Sequence, residues 1–101
     1  MSYKLFIDDL RDPISNDWKI ARSSSEAIGI VERFGIPNEI AFDHDLGGDD
    51  TSIIFIKWLI NEMVDRGLVL PPGFKFSIHS MNPIGAENIK WYMAAIVREF
   101  N

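Results

Sequence analysis

The chain contains no cysteine. That excludes a disulfide framework, a thiolate nucleophile and a zinc–thiolate site, and it suits a reducing cytoplasm. No run of about 18 apolar residues occurs, so no membrane-spanning helix is expected. The amino-terminal residues lack a signal-peptide pattern. Basic residues are the minority, with 10 Lys and Arg against 15 Asp and Glu and a formal net charge of −5. Non-specific nucleic-acid binding needs clustered Lys and Arg, so no extended nucleic-acid surface is expected. One nucleotide or one strand end is still compatible with this balance.

What the chain has is enough to fold. Its 101 residues are 47% apolar and 12% aromatic, sufficient for one core and one domain over residues 1–101 but not for two. The acids are unevenly placed. Asp8, Asp9, Asp12, Asp43, Asp45, Asp49 and Asp50 fall in two short knots, "LFIDDLRDP" and "AFDHDLGGDD". Elsewhere the basic residues slightly outnumber the acids. Each knot directly follows a short apolar run.

Those runs read as strands. "YKLFI" (Tyr3–Ile7) stops at the aspartates, "WKIAR" (Trp18–Arg22) alternates, "EIAF" (Glu39–Phe42) ends at Asp43, and "FKFSI" (Phe74–Ile78) ends at His79. Three helical segments separate or follow them. Ser23 and Glu26 form a capping box ahead of Ala27, Ile30, Val31 and Phe34, which share a helical face. Thr51 or Ser52 starts a helix running to about Arg66, with Ile56, Leu59, Ile60 and Met63 as its stripe. Asn82 caps a last helix that has Pro83 at its first position and runs to about Phe100.

Strands alternating with helices imply a parallel sheet with right-handed crossovers. Buried central strands read as continuously apolar, as "LFI" and "IAF" do, whereas Lys19, Arg22 and Lys75 mark edge strands. The expected architecture is a three-layer α/β sandwich, strand order 2-1-3-4, with helices on both faces. One connection strains that scheme: residues 8–16 are too few for a full crossover helix.

In an open α/β sheet, ligands bind beyond the carboxyl ends of the strands. Asp8, Asp9, Asp43, His44, Asp45, His79 and Ser80 all follow strand ends, so they should converge on one edge. Crowded carboxylates take up protons or hold a cation, and an all-oxygen set suits Mg²⁺, with Mn²⁺ or Ca²⁺ as alternatives. Asp8, Asp9 and Asp43, with Asp45 assisting, are the expected metal ligands. Asp12, Asp49 and Asp50 read equally well as solvated loop residues. The two histidines, His44 and His79, sit where an acid or base would be useful. Arg11, Ser80 and Asn82 are the expected phosphate-binding residues, the last because a helix start favours anions.

The acidic pair Asp8–Asp9, Asp43 after the third strand and Ser80 after the fourth resemble a receiver domain of two-component signalling. The chain departs from that pattern: a first helix and a fifth strand with its lysine are missing, and both histidines are foreign to it. "LFIDDLRDP", "FDHDLGG" and "HSMNPIGAEN" together resemble more closely the cyclic-phosphate processing receiver-like domains of bacteria and their phages, over nearly the whole chain. That resemblance implies a receiver-derived sheet refitted around histidines.

The leading expectation is therefore a metal-assisted phosphoesterase that opens a cyclic phosphate on a small phosphorylated ligand, a nucleotide or an RNA end. His79 and His44 would serve as acid and base, and Asp43 as metal ligand and catalytic carboxylate. The alternative is a non-enzymatic receiver-like module that binds a phosphorylated ligand or switches a partner protein. Aspartyl phosphorylation of Asp43 is a third reading. The missing lysine argues against it, because that charge would stabilise the phosphoryl group.

Overall fold

A computed structural model describes residues 2–101. In chain order its elements are β1 (Lys4–Ile7), β2 (Trp18–Ala21), α1 (Ser24–Phe34), β3 (Glu39–Phe42), α2 (Ser52–Arg66), β4 (Lys75–Ile78) and α3 (Pro83–Phe100). The four strands form one sheet in the order β2-β1-β3-β4, and every pairing is parallel. This is the expected receiver-like α/β fold. "LFI" and "IAF" lie in the two central strands and are buried throughout, as strands covered on both sides must be. Among the described residues, no helix is long and apolar enough to cross a membrane.

The register divides the sheet residues between two faces. Leu5, Ile7, Ala21, Ile40 and Phe42 share a fully buried face with Ala27, Phe55, Leu59, Met63, Ile89 and Met93 from the helices. Phe6, Ile20, Ala41 and Ser77 pair across the strands on the opposite face. All three helices pack on the first face, α1 against α2 and α2 against α3. The expected second helical layer is therefore absent among the described residues. The crossovers from β2 to β3 and from β3 to β4 both advance in the same direction, so right-handedness puts their helices on one side. The connection that would have supplied a helix for the other side, residues 8–17, contains none. It arches over the Phe6 face as a loop instead.

Local signals explain the helix boundaries. Ser23 Oγ accepts the Glu26 N–H at 3.1 Å, and the Glu26 carboxylate accepts the Arg22 N–H at 2.7 Å. The capping box is thus displaced by one residue on its Glu side. Phe34, expected on the buried stripe of α1, is 37% exposed, with Tyr3 at its edge and the Lys19 ammonium 4.1 Å from its centroid. α2 ends at Gly67, whose left-handed backbone (φ 62°) lets the Leu68 N–H reach back to the Met63 carbonyl at 3.0 Å. Asn82 caps α3 by accepting the Gly85 N–H at 3.0 Å, with Pro83 opening the helix.

Candidate active site

The sheet ladder continues one bond past each strand. The N–H groups of Asp8, Asp43 and His79 donate to Ala21, Ile7 and Phe42 carbonyls at 3.0, 2.9 and 2.8 Å. Residues far apart in sequence are thereby aligned side by side on the carboxyl edge, as parallel topology requires.

Asp8 is the hub. It is 1% exposed, and its two oxygens meet four donors. Oδ1 accepts the Leu10 and Arg11 backbone N–H groups at 2.9 and 2.8 Å. Oδ2 lies 3.0 Å from His79 Nε2 and 3.3 Å from Arg11 Nε. Burial pushes this carboxyl up, yet the Arg11 and Leu10 N–H groups and the His79 ring hold it below the ordinary value. The His79 ring stacks on Phe6, with centroids 4.8 Å apart and planes 8° from parallel. One face and one nitrogen of the imidazole are therefore fixed, and Nδ1 is left as the nitrogen available to a substrate.

Asp43 and Asp9 stand beside Asp8. One carboxylate oxygen from each of the three lies within 4.8 Å of the others. Asp43 is 8% exposed. Its carboxyl is pushed up, first by burial and then by the Asp8 charge, against the opposing pull of the His44 N–H, His79 and Arg11. This donor set fits a hard divalent cation: oxygens only, two of the three carboxylates buried, and one held in its charged form at a desolvation cost. Asp9 and Asp43 offer the freest oxygens, because the lone pairs of Asp8 are already engaged.

His44 belongs to a second constellation. Its Nδ1 lies 3.0 Å from Asp45 Oδ1, and Asp45 Oδ2 accepts from Asn82 Nδ2 at 3.4 Å. The hydrogen bond to His44 holds the exposed Asp45 carboxyl below its ordinary value. The ring lies flat against Gly85, where a Cβ would come within 2.7 Å of Cδ2 and Nδ1. Asp45, expected near the metal ligands, is outside the three-carboxylate group and partners His44 instead. Each histidine thus has its own aspartate. His79 lies on the helix-free side of the sheet edge, and His44 lies against the start of α3.

The expected phosphate-binding residues are placed as follows. Ser80 Oγ accepts the Asn82 N–H at 3.0 Å. Asn82 takes the Gly85 N–H through its side chain and the Ala86 N–H, at 2.8 Å, through its carbonyl. Pro83 has no N–H, so in the first turn of α3 only the Ile84 N–H remains for an anion. Arg11 donates Nη2 to the His79 carbonyl at 3.2 Å and remains half exposed. It is the cation closest to the acidic cluster.

Several contributors escaped sequence reasoning. Arg22, read as an edge-strand charge, binds the Asp8 and Arg11 carbonyls through Nη1 at 3.1 and 2.6 Å and pairs with Asp12 through Nη2, pinning the loop that carries Arg11. Phe6 carries the His79 ring, and Gly85 makes room for His44. Within "LFI" and "NPIGA" these residues are indistinguishable from core and helix residues. Asp50 is a cap: its carboxylate accepts the Ser24 N–H and hydroxyl at 2.8 and 2.6 Å.

The family described as "Cyclic-phosphate processing Receiver domain" matches residues 3–95 of the chain. Comparison with curated proteins and with solved structures returned no match.

Proposed function

The chain belongs to the cyclic-phosphate processing Receiver domain family, and from that premise we propose that it is a phosphoesterase that opens a cyclic phosphate by hydrolysis. The observation that carries this reading is the buried Asp8–His79 pair beside Asp9 and Asp43. An ionised Asp8 accepting from Nε2 fixes the tautomer, so Nδ1 carries the lone pair. His79 then takes a proton from water as the water oxygen bonds to phosphorus. The ring P–O bond breaks, and the leaving oxygen takes a proton. His44, with Nδ1 on Asp45, is the second group able to supply it, from Nε2 when the ring enters the step as the imidazolium. Asp8 stabilises the imidazolium formed at His79 and does not itself change protonation. Arg11 faces the phosphate oxygens as a bidentate donor.

Asp9 and Asp43, with Asp8, are the residues that would hold a divalent cation, Mg²⁺ first among them. When bound, it supplies charge neutralisation for the phosphate oxygens. Its presence would also offset the burial and the Asp8 charge that push the Asp43 carboxyl up. A nucleotide or RNA end in the cytoplasm is the substrate setting that fits a chain of net charge −5.

The test is to incubate the protein with Mg²⁺ or Mn²⁺ and a panel of cyclic phosphates, and to weigh the products. Products heavier by one water, lost in His79→Ala, support the reading. Stoichiometric binding without turnover would replace it with a module that binds a phosphorylated ligand, a reading favoured by the receiver-like position of Asp43. A stable adduct on Asp43 would instead indicate a phosphoryl switch.

A further inference from the structure

The missing helical layer leaves a cavity of about 400 Å³ between the helix-free sheet face and the arch of residues 11–15. Its floor is the sheet face of Phe6, Ala41 and Ser77, and Trp18, His79 and Arg11 also line it. The volume falls within the usual span for small-ligand sites, ~300–1,000 Å³. Another cavity, of about 440 Å³, opens between the ends of α1 and α2, at the amino end of the strands and away from both histidines. Only the first joins the acidic edge.

We propose that this cavity receives the nucleoside of the substrate, so that the enzyme acts on nucleoside cyclic phosphates rather than on cyclic phosphates at large. The inference rests on the phosphoesterase reading and extends it. Two aromatic rings form part of the lining: Phe6 lies under His79, and Trp18 meets Phe6 edge-on with centroids 5.9 Å apart. Phe6 is buried and covered on one face by His79, so the stacking wall is the half-buried Trp18, whose ring also has the Lys4 ammonium 4.6 Å from its centroid. A flat heteroaromatic base gains stacking energy on such a ring whatever its identity. Ser77 brings a hydroxyl to the lining of the cleft, enough to engage a base or sugar edge. Ala41, 4% exposed, keeps the floor low because its side chain is a single methyl. His79 and Arg11 belong to the same lining, so a phosphate held by them lies next to the cleft. A saturated cyclic phosphate without a base would reach His79 but leave the cleft unfilled.

The experiment compares turnover of a nucleoside 2′,3′-cyclic phosphate, a short oligoribonucleotide ending in the same group, and a baseless five-membered cyclic phosphate. Wild type should prefer the two base-bearing esters by about tenfold or more in kcat/KM, the value of one stacked base. Filling the cleft with Ala41→Leu, or with Ser77→Leu on the exposed edge strand should Ala41→Leu fail to fold, should collapse that preference towards one. A mononucleotide turned over as fast as the oligonucleotide would identify free nucleotides as sufficient, and an oligonucleotide turned over faster would identify RNA ends. Both results keep the inference. Equal kcat/KM for all three esters in wild type overturns it, as does a preference unchanged in the filled variant. If no ester is turned over, the phosphoesterase reading fails. Calorimetry with a nucleoside monophosphate then decides: binding lost on filling the cleft upholds the nucleoside site, and no binding overturns it.

Discussion

Asp8 and Asp43 are neighbours whose carboxyls are displaced in opposite directions, and the signs have consequences. Asp8 sits below its ordinary value, so its ionised form stabilises the fold above that value, and the stability is lost as pH falls through the lowered one. Asp43 sits above, so its ionised form opposes folding at neutral pH, and the native protein gains stability as pH falls through the raised value. Without divalent ions, Asp43→Asn should therefore melt higher than wild type at pH 7, by an amount of the order of 1 kcal/mol or ~4–8 °C. The gap should close as wild-type Asp43 takes up its proton on acidification. A gap independent of pH in thermal melts would remove Asp43's charge as its cause. For activity, Asp8→Asn and His79→Ala should each cost about 10²–10⁴ in rate, and the double variant little more, because paired groups are not additive.

At the scale of the element, helix starts on this edge are tied to the loops that carry the site. Asp50 caps α1 from the loop after β3, through two bonds to Ser24. Asp50→Ala should cost about 1–2 kcal/mol in urea unfolding. Asp49, exposed beside it, should cost almost nothing when replaced. α2 has no side-chain cap from Thr51; the Ser52 hydroxyl donates to the Asp43 carbonyl instead, anchoring the backbone that presents the Asp43 carboxylate. α3 begins against His44, and Gly85 is what allows the approach. Gly85→Ala should force apart the ring and the helix, destabilising by ~1–3 kcal/mol. Comparing it with His44→Ala separates two roles. If His44 donates the leaving-group proton, both variants lose turnover; if the ring only packs, His44→Ala stays active.

For the whole molecule, the two-layer build concentrates the core on one sheet face and frees the other for the cleft. Negative charge gathers at the edge that both layers share. A cation held there binds the folded chain and not the unfolded one, so it raises stability by mass action. Mg²⁺ at about 100 times its Kd should add ~2.7 kcal/mol in thermal melts, and the gain should be sharply reduced in Asp43→Asn. The same gain in the variant would detach metal binding from this cluster.

Periodicity and composition alone determined the strand and helix order, the central place of "LFI" and "IAF", the sheet order and the convergence of Asp8, Asp43 and His79 on one edge. These follow from local patterns and from the handedness of crossovers, which hold for any sequence so patterned. Even the lost first helix was legible, because residues 8–16 are too few to form one. Only the tertiary structure decided what that loss does. Sequence patterns assign residues to faces, but not what covers a face, so they could not show that Phe6 would carry His79 or that a cleft would open beside it. Nor could they tell a ligand carboxylate from an orienting one. Asp8 and Asp45 read alike as strand-end ligands and Asp50 as a loop residue, and each took its role from the partner the folded chain gave it: His79, His44 and Ser24.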